Sequence, residues 1–272
     1  MSNIINPNYL KTYQYCDAQN LTARINLHRR FSTNHQDWFR WVFDQINLAA
    51  PAHILELGCG SGLLWQSNLD RIPAGYQVLL SDFSPGMVDR ARSNNEDAPV
   101  TIQYSVLDAQ SIPCPAACFE LVVANHMLYH IPNRPFALEE IHRILKPGGK
   151  LLAATNGIRH MVEIHQLLLS LEPSLAYHTD HAFGVNQFTI ENGARQLAPW
   201  FDNIHIIPFE DSLEVTESEP LIAYILSMNT APQIKVTSQQ ISSLHDEISR
   251  EINQRGSYHI SKSTALFVAE KL

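Results

Sequence analysis

Cysteine is scarce in this chain: four of 272 residues, at Cys16, Cys59, Cys114 and Cys118. With no secretory signal in view, disulfides between them are not expected. Cys114 and Cys118 stand at CxxxC spacing, but no second Cys or His pair with finger-like spacing accompanies them. A closed structural zinc needs four ligands, so the pair reads as small residues in a proline-rich loop and no metal is expected. Long apolar runs are lacking too. None reaches the roughly 18 residues that a membrane span needs. The first residues show no basic stretch followed by an apolar one, so no secretory signal is expected and the expected compartment is the cytoplasm. Basic residues are outnumbered, 19 Lys and Arg against 27 Asp and Glu, for a net charge of −8. A general nucleic-acid binder carries the opposite balance, which argues against nucleic acid as a partner. No internal repeat or low-complexity tract is visible.

What is present suffices for a core. With 45% hydrophobic and 17% charged residues, the 272 positions suit one large α/β domain, or a core domain with a lid. Residues 1–50 read as a helical N-terminal lid segment, with a tyrosine cluster at Tyr9, Tyr13 and Tyr15. Trp38, Trp41, Val42 and Ile46 fall on one helix face, and Pro51 is expected to close that helix. The two tryptophans read as core.

From Ala52 the rhythm becomes strand, turn, helix, repeated. His53 to Leu57 is an apolar strand that runs into the glycine-rich turn Gly58 to Gly62, and Leu63 to Trp65 can open a helix. Gln77 to Ser81 is a second strand ending at Asp82. Ser84 and Pro85 then supply an N-cap and a proline at the first helical position. Val100 to Tyr104 reads as a third strand and Phe119 to Ala124 as a fourth, apolar enough to be covered on both faces. A helix follows Asn133, with Ala137, Ile141, Ile144 and Leu145 inward. Lys146 to Gly149 stops it, and Lys150 to Ala154 is a fifth strand. Helices are then expected over 161–171, 189–197, 217–228 and 238–254, with strands at Ile204 to Ile207 and Thr264 to Val268. Such alternation implies a parallel sheet wound on both sides, which binds ligands at the carboxyl ends of its strands.

The strongest signal is Leu55 to Gly62, reading LELGCGSG. A dinucleotide fingerprint wants a third glycine at position 63, where this chain has Leu63. An acid, Glu56, stands two residues before the first glycine, where it would repel a phosphate and favour a cationic ligand. With Asp82 ending the second strand, Asp108 and Ala109 after the third, FELVVAN over Phe119 to Asn125, and LKPGGKLL over Leu145 to Leu152, the chain resembles the class I S-adenosylmethionine-dependent methyltransferases. Within them it is similar to the type 11 subgroup, which includes ubiquinone and menaquinone methyltransferases. The likeness spans roughly residues 50 to 156.

The resemblance implies a Rossmann-like, seven-stranded, mainly parallel sheet of order 3-2-1-4-5-7-6. Its last strand, Thr264 to Val268, would be antiparallel, with helical N-terminal and C-terminal lid additions. It implies a methyltransferase domain over 51–272, with a cofactor core at 51–156 and acceptor-side insertions at 157–263. S-adenosylmethionine would lie against Glu56, Gly58, Cys59, Gly60 and Gly62. Asp82 would hold both ribose hydroxyls, as a carboxylate suits two O–H donors. Asp108 and Ala109 would take the adenine amino group, Phe83 and Met87 would flank the ring, and Ser84 and Asn125 would complete the site. Arg24 or His28, four apart on one helix face, could hold the cofactor's carboxylate.

His126, Tyr129 and His130 follow the fourth strand and are the candidate bases, which an O- or C-methylation would need. The 13 histidines are many for the length, and His178, Asp180 and His181 cluster in an irregular stretch that reads as a solvated loop rather than a metal site. Asn125 and Asn156 stand where metal-dependent relatives carry acids. The expected acceptor is a small molecule of secondary or cofactor metabolism. The helix carrying Ile241, Leu244, Ile248 and Ile252 offers a pocket cap or a homodimer surface. The rival readings are a tRNA or protein methyltransferase, a nicotinamide-dependent oxidoreductase, and a cofactor-binding protein without turnover.

Overall fold

The computed structural model describes residues 18–171, 188–227 and 236–272. The expectations placed on Tyr9, Tyr13, Tyr15, Cys16, His178, Asp180 and His181 lie outside them. The chain divides into two compact units, each assembled from separated stretches. A sheet unit comprises Gln36–Asn156, Phe188–Pro208 and Ala265–Leu272. A helical unit comprises Met1–His35, Gly157–Gln187 and Phe209–Thr264.

Helix α1 (Ala18–Phe31) belongs to the helical unit, and α2 (Trp38–Asp44) opens the sheet unit. Asp37 caps α2, its carboxylate accepting the Arg40 N–H. The helix stops at Asp44, well before Pro51, because Gln45 and Ile46 already turn back onto the carbonyls of Val42 and Phe43. The expectation that Pro51 closes it was therefore wrong. Trp38 and Trp41 are half-buried, stacked on each other with centroids 5.2 Å apart, while Val42 and Phe43 supply the buried contacts.

Then come β1 (Ala52–Leu57), α3 (Leu63–Gln66), β2 (Tyr76–Asp82), α4 (Pro85–Asn94), β3 (Thr101–Val106), β4 (Phe119–Asn125), α5 (Arg134–Ile144) and β5 (Leu145–Asn156). The first four strands and β5 pair in parallel. The unit ends with α7 (Ile190–Leu197), β6 (Asp202–Phe209) and β9 (Thr264–Glu270). The seven-stranded sheet runs β3-β2-β1-β4-β5-β9-β6, as the resemblance implied once the closing strand is counted ninth. The Gly148 N–H donates to Lys271 O and the Lys271 N–H to Gly149 O, joining the start of β5 to the end of β9, so these two strands are antiparallel. Both faces of the sheet are covered. Leu55, Leu57, Val122 and Ala153 pack toward α5 and α7, and Ile54, Val78, Leu80 and Val123 pack toward α2 to α4. This explains the nearly continuous apolar runs of β1 and β4.

The helical unit holds α1, α6 (Val162–Leu171), β7 (Ser212–Val215), α8 (Ser218–Ser227), α9 (Ser238–Arg255) and β8 (Tyr258–Ser261). β7 and β8 form a separate antiparallel pair that the sequence pattern did not announce. The apolar stripe of α9 is used inside this unit: Leu244 and Ile248 are fully buried beside Leu221 and Ile260.

Candidate functional site

Four strand ends of the sheet unit, those of β1 to β4, carry the sequence-predicted residues. β1 runs into a turn in which Gly58, Gly60 and Gly62 all have positive φ (66°, 53° and 75°), a region that side chains with a Cβ avoid. Two of these glycines are also required sterically. A Cβ on Gly58 would come within 2.7 Å of Met127 Cβ, and one on Gly62 within 2.4 Å of Asn95 Nδ2. At Gly60 a Cβ would meet nothing within 4 Å, so the backbone there borders open space. The turn is braced from α4 and its cap: Asn94 Nδ2 donates to Ser61 O, and Asn95 Nδ2 to Gly62 O. Sequence reasoning missed both asparagines; their only trace is an amide pair at a helix end.

Glu56 is 2% exposed and accepts one hydrogen bond, from Trp65 Nε1 at 2.8 Å. Burial pushes its carboxyl up to about 8 against the pull of that bond, with the nearby Asp82 charge adding to the rise. Trp65, itself fully buried, is thus the partner that the sequence did not reveal. Cys59 is buried, and burial followed by the charges of Glu56 and Asp82 pushes its thiol far up, so it stays protonated. Asp82, at the end of β2, accepts the Gly60 N–H at 3.0 Å through one oxygen and the Ser84 N–H at 2.8 Å through the other. The Phe83 N–H adds a third backbone donor to the same carboxylate, whose two oxygens offer about four acceptor positions in all. Burial raises the Asp82 carboxyl, opposed by those backbone donors. Asp82 thus spans the glycine turn and the start of α4, which Ser84 opens without a side-chain cap. Met87 is buried and Phe83 half-buried beside them.

Asp108 accepts the backbone and side-chain N–H groups of Gln110, whose Oε1 accepts the Asn133 N–H at the head of α5. Ala109 is buried. At the end of β4, Asn125 Oδ1 is buried with no hydrogen-bond partner among the described residues. His126 has a φ of 56° and donates its N–H to Ala154 O of β5. A non-glycine residue held there stores about 1–3 kcal/mol of strain. The ring of His126 stands 5.2 Å from Trp38 and 6.3 Å from Tyr129, which meets His130 edge-on at 4.5 Å. Tyr129 and His130 lie on the 3₁₀ turn Leu128–His130.

The structure therefore gathers Glu56, Gly58, Cys59, Gly60, Gly62, Asp82, Phe83, Ser84, Met87, Asp108, Ala109, Asn125, His126, Tyr129 and His130 in one unit. Arg24 belongs to the helical unit, where its guanidinium donates to Ser227 Oγ at 3.2 Å and Ser227 O at 2.7 Å. His28, the other candidate on its helix, meets the Tyr224 ring edge-on in that unit. Chemically, the sheet unit offers carboxylates and an amide oxygen for a ligand rich in O–H and N–H donors. It also offers a buried acid without a cation partner among the described residues, and imidazoles and a phenol for proton handling. That donor set fits a cationic nucleoside ligand better than a pyrophosphate.

Residues 55–153 match the family described as a methyltransferase domain. Over 120 residues the chain is 32% identical to a ubiquinone/menaquinone biosynthesis C-methyltransferase of Hydrogenovibrio crunogenus, covering 43% of this chain and 47% of that protein. Over 116 residues it is 34% identical to a ubiquinone biosynthesis O-methyltransferase of Xanthomonas oryzae, covering 42% and 47%. The chain thus matches about half the length of these curated relatives. A solved structure of a methyltransferase described as putative, from Bacillus halodurans, superposes with a TM-score of 0.59 at 17% identity, over 86% of this chain and 98% of that one.

Proposed function

We propose that this protein, whose residues 55–153 form a class I methyltransferase domain of the type 11 group, transfers a methyl group from S-adenosylmethionine to a small-molecule acceptor. The observation that carries the reading is the open, positive-φ backbone at Gly60 tied directly to the Asp82 carboxylate. A close-approach surface and a diol acceptor then stand at the ends of adjacent strands, where a doubly wound sheet binds ligands.

The bound cofactor supplies a methyl group already activated on a sulfonium. The chain's own task is then mainly to align and to select. Asp82 accepts the ribose hydroxyls with the acceptor capacity that its backbone donors leave it. Asp108 and Ala109 receive the adenine edge, with Phe83, Ser84 and Met87 beside it. The backbone of Gly58, Cys59, Gly60 and Gly62 admits the methionine part, and Glu56, whose buried carboxyl is pushed up to about 8 in the free protein, ionises behind the turn once the cationic ligand is bound. Asn125 Oδ1 accepts a donor of the ligand. His126, Tyr129 and His130 orient the acceptor and take its proton where the nucleophile is a hydroxyl or an activated carbon. The half-buried rings of Trp38, His126, Tyr129 and His130 favour a planar acceptor. The relatives named for C- and O-methylation in quinone biosynthesis support an acceptor of that general kind. Cytoplasmic placement and a lid role for the N-terminal segment belong to the same proposal.

Calorimetric titration with S-adenosylhomocysteine, with NAD as the control, tests it. The expected result is binding of the former alone. Gly60→Val should remove that binding while the circular dichroism of the folded protein is kept, since a Cβ there meets no protein atom within 4 Å. Binding of NAD, or unchanged S-adenosylhomocysteine binding in the Gly60→Val variant, would overturn the reading.

A further inference from the structure

The first turn of α5 joins the two sides of the candidate site. Arg134, its first residue, is 8% exposed. Its Nε donates to Leu128 O at 2.9 Å, at the head of the turn that carries Tyr129 and His130. Its Nη1 donates to Gln196 Oε1 at 2.6 Å on α7. Gln196 is fixed in turn, its Nε2 donating to Asn192 Oδ1 at 2.6 Å, which also accepts the Thr189 N–H. The guanidinium lies 6.0 Å from the Phe188 ring centroid, and Phe188 O accepts the Thr155 hydroxyl at the end of β5. One residue earlier, the Asn133 N–H donates to Gln110, which holds Asp108.

We propose that Arg134 is a positioning residue, which sets the Leu128–His130 turn, and with it Tyr129 and His130, relative to the Asp108 loop. The inference rests on the methyltransferase reading, because alignment of nucleophile and methyl donor is what that reaction asks of the protein. Burying a guanidinium is costly. Burial pulls its pKa down to about 10, so an ordinary turn would not repay it. Arginine's rigid fork can bond a backbone oxygen and an amide oxygen in fixed directions at once, whereas lysine's point charge cannot. The sequence signal was slight, since an arginine after Asn133 reads as ordinary helix polarity.

The test uses the full chain with S-adenosylhomocysteine as the probe. Histidine side-chain nitrogen and carbon resonances are followed by NMR, with His130 assigned through His130→Gln. Arg134→Lys and Gln196→Leu should each shift the His130 signals and its titration curve, with S-adenosylhomocysteine affinity within about twofold of the parent. Gln196→Glu keeps the acceptor for the guanidinium while giving up the donation to Asn192, and should move the His130 signals clearly less than Gln196→Leu does. The proposal is overturned if His130 is unmoved in the first two variants, or if Gln196→Leu and Gln196→Glu behave alike. Failure of the parent protein to bind S-adenosylhomocysteine would instead count against the methyltransferase reading, so the two failures are distinguishable. The Gln196 pair keeps the test decisive should Arg134→Lys not fold.

Discussion

In the helical unit the Asp211 side chain is fully buried and amply paired: it meets Lys262, accepts the Ser32 hydroxyl at 2.6 Å and accepts the N–H groups of Asn34 and Ser212. In the sheet unit Glu56 is just as buried but, among the described residues, has a single neutral donor, Trp65. The difference separates a carboxylate that the fold itself compensates from one that, on the proposed function, is compensated by the ligand. Asp211 feels burial as an upward push, but Lys262 and Ser32 more than offset it and hold its carboxyl below the ordinary value. Glu56 has no such compensation and is pushed up to about 8. On the proposed function, its missing counter-charge arrives with the cationic cofactor.

The largest expected effect comes from breaking the compensated one. Asp211→Ala leaves Lys262 buried without its partner and should cost about 3–5 kcal/mol of stability. All four tryptophans, Trp38, Trp41, Trp65 and Trp200, lie in the sheet unit. Urea unfolding followed by tryptophan fluorescence therefore reports that unit, while far-ultraviolet dichroism reports both. If the units unfold separately, Asp211→Ala shifts part of the dichroism transition and leaves the fluorescence transition in place. A loss below about 1 kcal/mol, the size of an exposed ion pair, would remove Asp211 from its structural role.

The second contrast is in pH, and its sign differs between the units. The depressed Asp211 contributes stability that is full above its ordinary value of 3.8 and is lost as pH falls through the folded one. The raised Glu56 contributes stability that is full below its ordinary value of 4.5 and is lost as pH rises toward about 8. Within that window the slope reaches at most about 1.4 kcal/mol per pH unit. Glu56→Gln keeps an acceptor for Trp65 and should flatten the decline between 4.5 and about 8, as measured by urea midpoints of the fluorescence transition. An unchanged slope in this variant would mean that another group titrates there.

The third effect is confined to binding. Asp82→Ala should weaken S-adenosylhomocysteine binding by about 1.5–3 kcal/mol, the range for hydrogen bonds to a charged group. Unaltered affinity by calorimetry would take Asp82 out of the ribose role.

The two units also differ in how far they could be read in advance. β1 to β4 were legible to within two residues, because apolar runs and Gly or Pro punctuation are local signals, whereas β5 starts at Leu145 rather than Lys150 and takes in the Lys146–Gly149 stretch that was read as a stop. The seven-stranded order came from the resemblance, and the structure agrees with it. The helical unit was legible only as helices. β7 and β8 are four residues each and far apart in the chain, too short for a period to show. In the sheet unit the carrier residues Glu56, Gly60 and Asp82 were visible in the motif, but their supports were not. Trp65, Asn95, Gln110 and Arg134 act through bonds to backbone or to side chains elsewhere in the fold, and no spacing rule encodes such bonds.

The smallest perturbation makes the sharpest use of the comparison. Thr237 caps α9, its hydroxyl accepting the Gln240 N–H while Gln240 Oε1 accepts the Thr237 N–H. Thr237→Ala should cost about 1 kcal/mol, the usual value of such a cap. The loss is small enough to leave the protein folded and is confined in its contacts to the helical unit. If that unit only contributes stability of its own, S-adenosylhomocysteine affinity stays at the parent value while the dichroism midpoint falls. If cofactor binding draws on the helical unit, the affinity falls in step with the midpoint, because binding then has to restore the order that the lost cap gave up. A parallel fall would move the helical unit from scaffold to participant. Asp82→Ala, which acts within the sheet unit alone, supplies the reference against which that fall is measured.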